Sequence, residues 1–137
     1  MRLHEALLIR WDDIDLDERV VIVRSSKTGN RKMPLFTNPL EALERVPEEQ
    51  RTGRILSNWS ENNQATPRRV MLKALEAAKV EPWEKLFQNM RSSRVTELLT
   101  KGLPVKDVAE YAGQSPDVLW RHYASVQKEV FNRALKL

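Results

Sequence analysis

Leu3, Leu7, Leu8 and Trp11 recur at helical spacing and predict a first helix over about Leu3–Trp11, because residues three and four apart share one helix face. Asp12, Asp13, Asp15 and Asp17 then interrupt the pattern. Val20, Val21, Ile22 and Val23 are β-branched and predict a strand. Ser26-Lys27-Thr28-Gly29-Asn30 is rich in turn formers, and Lys32 to Phe36 resumes as a partner strand, so the two runs predict a hairpin. Pro39 is expected to open a short helix holding Leu40, Leu43 and Val46. Residues 47–65 read mostly as loop, with a short strand expected at Arg54-Ile55-Leu56.

The second half is helical throughout. Thr66 as cap and Pro67 as first residue predict a helix to about Lys79, with Val70, Leu72, Ala74, Leu75 and Ala78 on its apolar side. Further helices are expected from about Asn89 to Lys101, stopped by Gly102, and from Pro104 to near Gly113. Two more follow: Ser115-Pro116 to about Ala124, and Gln127 to Leu137. Val130, Phe131, Ala134 and Leu135 form a stripe on the last. The predicted class is α+β: a small antiparallel sheet or hairpin near the N-terminus, then a mainly α-helical bundle.

Length limits the chain to one domain over 1–137, since 137 residues build one core and not two. With 41% hydrophobic and 31% charged residues the composition is that of a folded globular chain. No apolar run approaches the ~18 residues of a membrane span, and Met1 to Glu5 lack the apolar stretch of a secretory signal. Cysteine is absent, which excludes disulfides, thiolate catalysis and Cys-ligated zinc. His4 and His122 are the only histidines, so no metal or other cofactor is expected.

Charge is unevenly placed. Residues 1–65 hold 10 Lys/Arg against 11 Asp/Glu, residues 66–101 hold 8 against 4, and residues 102–137 hold 5 against 4. The net +4 therefore resides in the middle segment. Such clustering marks either a solvated helix face or a surface for nucleic acid. Among the basic residues, Arg2 precedes the first helix, Lys27 sits at the hairpin tip, and Arg91 is expected in the first turn of its helix, where outward N–H groups favour a phosphate. Arginine matches phosphate oxygens with a fork of donors; lysine offers a point charge that also gives up a proton.

Five segments in order resemble the catalytic domain of the tyrosine recombinases, the phage-type integrases. Arg2-Leu3-His4-Glu5-Ala6-Leu7 with Arg10-Trp11-Asp12-Asp13-Ile14-Asp15 is similar to that family's first arginine motif. Ser26-Lys27-Thr28-Gly29 with Met33-Pro34-Leu35 resembles its hairpin lysine segment. Gln88-Asn89-Met90-Arg91-Ser92-Ser93-Arg94 stands at its His-x-x-Arg box, and Ala112-Gly113-Gln114-Ser115-Pro116 at its Leu-Gly-His-Ser motif. His122-Tyr123 follows, with Tyr123 nine residues beyond Gln114.

The resemblance implies the DNA breaking-rejoining fold and site-specific recombination or integration. The Tyr123 hydroxyl would attack a phosphodiester to give a 3′-phosphotyrosyl link and a free 5′-hydroxyl; a second 5′-hydroxyl then reseals the strand. The covalent link conserves the bond energy, so no ATP is needed. Arg2 and Arg91 would hold the non-bridging oxygens, where negative charge gathers in the transition state, and Lys27 would protonate the leaving 5′-oxygen. The implied partners are duplex DNA and further copies of the chain. These copies would form a tetramer on DNA, linked through the helix 127–137. A separate DNA-gripping domain would lie outside this chain, and the enzyme would work in the cytoplasm on the nucleoid.

Gln88 and Gln114 depart from the family pattern, which has histidine at both places. Glutamine donates an N–H to a phosphoryl oxygen but transfers no proton near neutral pH. Both are therefore expected to orient the phosphate, while water or Lys27 handles the tyrosine proton. Tyr111, beside Val105, Val108 and Ala112, is expected in the core. Other readings compete. Residues 104–124 also resemble a helix-turn-helix of a non-catalytic DNA binder, with Val118 packed between its helices and 115–121 in the major groove. A decayed, inactive integrase and a type IB topoisomerase fit the same segments.

Overall fold

The computed structural model describes residues 1–25, 27, 29–60, 62–121, 124, 134 and 135. The chain begins with α1 (Leu3–Leu8), which is shorter than its apolar pattern suggests. Its carboxyl end is drawn out of the helix by pairing. The Ile9 carbonyl accepts the Ile55 N–H at 3.0 Å, and the Trp11 N–H donates to Gly53 O at 3.0 Å. Arg10 and Arg54 form one isolated antiparallel bridge, to which the expected strand at 54–56 reduces. Trp11–Asp13 is then a single 3₁₀ turn.

Three strands follow: β1 (Ile14–Asp15), β2 (Val20–Val23) and β3 (Arg31–Pro34), in sheet order β1-β2-β3 and antiparallel throughout. The predicted hairpin is β2-β3, with Val21 opposite Met33 and Val23 opposite Arg31. The extra strand β1 exists because the Asp15 carboxylate accepts the Glu18 N–H at 2.8 Å. That local turn reverses the chain into Val20. The aspartate run thus lies beyond the end of α1 and shapes the start of the sheet.

Among the helices, α2 (Thr37–Glu44) starts two residues before Pro39, which sits in its first turn, where a missing N–H costs nothing. Residues Ala65–Ala77 form α3, opened by Asn63, whose side-chain oxygen accepts the Ala65 N–H at 3.0 Å, and not by Thr66. The helix α4 (Leu86–Thr100) begins three residues before the expected Asn89, and α5 spans Val105–Ala112. Lys85 turns the chain into α4 from a left-handed conformation, φ 47°.

The α4–α5 pair forms the main core. Gly102 sits at φ +86°, the Gly102 N–H returns to Leu99 O at 3.0 Å, and the Leu103 N–H returns to Leu98 O at 3.2 Å. This paired arrangement closes a helix and frees the next segment to fold back. Val95, Leu98 and Leu99 of α4 then meet Val108, Ala109 and Ala112 of α5, with Leu119 completing the cluster. Leu119 belongs to a helical stretch over 116–121, whose first turn is tied to Ser115 through Leu119 N–H to Ser115 O at 3.2 Å. Leu119 is fully buried and Val118 is 37% exposed, so Val118 does not fill the inter-helix position that the helix-turn-helix reading requires.

Among the described residues no helix is long and apolar enough to cross a membrane. His122, Tyr123 and nearly all of the expected helix Gln127–Leu137 lie outside the described residues.

Candidate active site

Arg2 is the N-cap of α1, and its own N–H donates to the Glu5 carboxylate at 2.6 Å. The Arg2 guanidinium bonds the same carboxylate at 3.3 Å. Glu5 is held from the other side by Arg31 at the start of β3, with Nη1 to Oε1 at 3.2 Å and Nη2 to Oε2 at 2.8 Å. Two guanidinium groups thus share one carboxylate. Both side chains of the Glu5–Arg31 pair are almost fully buried, at 5% and 6% exposure.

Burial alone would raise the Glu5 carboxyl pKa, but the Arg31 bonds and the Arg2 N–H outweigh it and hold the group at about 2. Glu5 is therefore a carboxylate at any ordinary pH and a fixed counter-charge to the arginines.

Arg91 approaches from α4. Its Nη2 donates to Ala112 O at 2.6 Å and reaches Gly113 O at 3.4 Å. Burial, and then the neighbouring Arg2 charge, lower the pKa of its guanidinium. Because α4 begins at Leu86, Arg91 is its sixth residue. The expectation that Arg91 shares a first-turn anion site with free N–H groups is corrected accordingly: its place is set by the turn after α5 and not by its own helix end. Gln88 occupies the first turn instead and is exposed. Arg2 and Arg91 line one groove of about 440 Å³ between α1, α3 and α4, whose other walls are apolar, among them Leu3, Trp59, Val70, Met71 and Phe87.

The turn that holds Arg91 is Gly113-Gln114. Gly113 has φ +62° and closes α5 with bonds from Gly113 N–H to Glu110 O and from Gln114 N–H to Ala109 O, each 3.0 Å. A Cβ on Gly113 would lie 2.7 Å from Arg31 Cζ, so the Arg31 guanidinium packs directly on this backbone. Gly113→Ala therefore meets both a left-handed backbone and a guanidinium that cannot retreat without leaving Glu5. We expect a loss of about 2–3 kcal/mol in denaturant unfolding; a loss under about 0.5 kcal/mol would show that Arg31 has room to move.

Gln114 is half-buried, and its Oε1 together with Arg91 Nε is buried with no hydrogen-bond partner among the described residues. Such atoms ordinarily find partners, so this end of the site carries polar capacity beyond its internal bonds. Lys27 is exposed in the β2-β3 turn, apart from these contacts. Tyr123 lies outside the described residues. Tyr111 is half-buried and lines a small cavity with Arg91, Val108 and Ala112. Among the described residues no carboxylate or histidine group gathers as a metal ion would need.

The structure thus brings Arg2 and Arg91 to one groove and Arg91 to the turn that contains Gln114, and adds Glu5 and Arg31. Glu5 stands within the first motif, but the sequence reading gave it no role. Arg31 went unread because the strand was expected to start at Lys32. The usable signal was parity: Arg31 alternates with Lys32 and falls on the same strand face as Met33.

The sequence model of the Phage integrase family matches residues 1–129. The XerA recombinase structure superimposes with a TM-score of 0.74 at 16% identity, covering 97% of this chain and 53% of that one. The Tn1549 transposon integrase, solved in complex with transposon right end DNA, gives 0.64 at 17% identity, covering 97% of this chain and 54% of that one. A curated relative, peroxisome biogenesis protein 19-2 of Arabidopsis thaliana, is 29% identical over 121 residues, which is 81% of this chain and 46% of that protein. That identity does not by itself place a chain in a family. The chain spans about half the length of each of these proteins.

Proposed function

Since this chain belongs to the Phage integrase family, we propose that it is the catalytic part of a site-specific DNA recombinase acting through a 3′-phosphotyrosyl intermediate. The observation that carries the reading is the convergence of Arg2 and Arg91 on one groove, with Glu5 and the Gly113 turn fixing their approach. Two guanidinium groups preorganised at one place suit the two non-bridging oxygens of a phosphodiester, because charge grows on those oxygens as the phosphorus becomes five-coordinate. Holding both cations beforehand removes the cost of reorganising solvent at the moment of attack.

On this reading Tyr123 supplies the nucleophile. Its oxygen bonds to phosphorus as the 5′-oxygen bond breaks; the phenol proton passes to water or Lys27, and Lys27 delivers a proton to the leaving 5′-oxygen. A 5′-hydroxyl reverses the step and releases the phenol. Gln114 stands next to the arginine-holding turn and donates its amide N–H to a phosphoryl oxygen; Gln88 does the same from the first turn of α4. Duplex DNA is the substrate, and further copies of the chain assemble on it as a tetramer through the segment 127–137. The exposed Arg68, Arg69 and Lys73 of α3 add positive charge for the DNA backbone.

The test is adduct mapping. The chain is incubated with nicked duplexes that trap a 3′-linked product, then digested with trypsin. Tyr111 and Tyr123 fall on different peptides, Asp107–Arg121 and His122–Lys128. The nucleotide mass is expected on His122–Lys128. An adduct on Asp107–Arg121 would reassign the nucleophile, and no adduct over a broad pool of duplexes would favour a DNA binder without strand chemistry.

A further inference from the structure

We infer that Arg31 is a positioning residue for the phosphate-binding pair: it sets Arg2 and Arg91 relative to one another without touching the phosphate. The inference rests on the function proposed above and deepens it. Arg31 contacts the supports of both cations. On one side its two Nη atoms bond both oxygens of Glu5, the carboxylate that also holds Arg2. On the other side its guanidinium lies against Gly113, whose carbonyl and that of Ala112 receive the Arg91 Nη2.

The geometry explains why the residue is arginine. A planar fork binds both carboxylate oxygens and at the same time offers a flat face to a backbone. Lysine would keep the charge and make one of the two carboxylate bonds, but would present no plane to Gly113. The absence of a side chain at Gly113 is the matching half of the contact, since any Cβ there would displace the guanidinium. Arg31 also belongs to β3, the strand that follows the Lys27 turn, so the same side chain joins the sheet to α1 and to the end of α5. Its side chain is 6% exposed, which leaves no route for direct contact with duplex DNA.

The experiment uses the full chain and orthovanadate as probe, an oxyanion that adopts five-coordinate geometry. Binding is followed through the backbone amide NMR shifts of Gly113 and Gln114. Wild type is expected to bind. Arg31→Lys should weaken binding at least tenfold while the far-UV spectrum and cooperative melting persist. Arg91→Lys should weaken it similarly. In the Arg91→Lys background, Arg31→Lys should then cost clearly less than it does in wild type, because part of its effect runs through the placement of Arg91 and only the part through Glu5 and Arg2 remains. Independent, multiplying losses would mean a general structural role and would overturn the inference.

If Arg31→Lys fails to fold, the double variant Glu5→Gln/Arg31→Met replaces the buried pair with neutral groups of similar shape. It should fold and still bind orthovanadate at least tenfold more weakly. Wild-type affinity in either folded variant overturns the positioning role. Wild type that binds no orthovanadate overturns the anion site itself, and with it the function proposed above.

Discussion

Arg91→Ala is expected to slow strand cleavage by about a thousandfold, with duplex affinity nearly unchanged. The size follows from the role proposed for this side chain at the reacting phosphate. One preorganised donor to a developing oxyanion contributes ~10²–10³ in rate, and an arginine placed on a transferring phosphoryl group ~10³–10⁵. Arg91 is half-buried, and its Nη2 is already fixed by Ala112 O at 2.6 Å. Its orientation is therefore paid in folding and not at the moment of binding. Affinity should barely move because most attraction for duplex DNA comes from many backbone contacts spread over the surface. Single-turnover cleavage of a trapping duplex separates the two quantities. A loss confined to affinity would place Arg91 among the general phosphate contacts and remove it from the transition state.

The comparison of Arg91→Lys with Arg91→Ala sharpens the same point. Lysine restores charge but not the fork, and it cannot hold the turn carbonyl while facing the groove. Recovery of most of the rate by lysine would show that net charge is enough and that the geometry around Gly113 is incidental.

Why some of this was readable in the sequence and some was not has physical causes. Gly102 and Gly113 each close a helix at positive φ, and both boundaries were legible because few other residues adopt that backbone without strain. The β2-β3 hairpin was legible from four β-branched residues and a turn-rich segment. The α4 start was not. Trp83-Glu84-Lys85 carries no standard cap, and Lys85 enters the helix from a left-handed conformation, so three helical residues read as loop. That shift moved Arg91 from a helix end, where backbone N–H groups are free, into a helix body, where they are not.

The candidate site shows the same division. Arg2, Arg91 and Gln114 were visible as parts of ordered motifs; that Arg2 and Arg91 share a groove, and that Arg91 reaches the turn before Gln114, are properties of the fold. Glu5 and Arg31 were missed as functional residues because charge is usually a surface signal. Their burial depends on a partner 26 positions away in the chain, and no local pattern encodes a pairing at that range. Lys27 was legible as a hairpin-tip lysine and remains exposed there.

The Glu5–Arg31 pair also makes an acid-sensitive joint, and Glu5→Ala is expected to cost about 3–5 kcal/mol, the usual consequence of leaving a buried charge without its partner. Melting should fall by roughly 10 °C or more for a chain of this size. Gln at the same place keeps one acceptor for Arg31 and should cost less. The pH dependence carries an independent signature. Glu5 titrates near 4.5 in the unfolded chain and at about 2 when folded. A depressed carboxyl stabilises the fold fully above the unfolded value and loses that contribution as pH falls through the folded one. The contribution is on the order of 3 kcal/mol. It should fade between pH 4.5 and about 2 in wild type, and this portion of the slope should vanish in Glu5→Gln. Urea unfolding at stepped pH measures both. Parallel wild-type and Glu5→Gln curves across that window would show that the carboxylate is not held by Arg31. The Glu5–Arg31 contact, which joins the Arg2 helix to the strand after the Lys27 turn, would then not rest on the charge of Glu5.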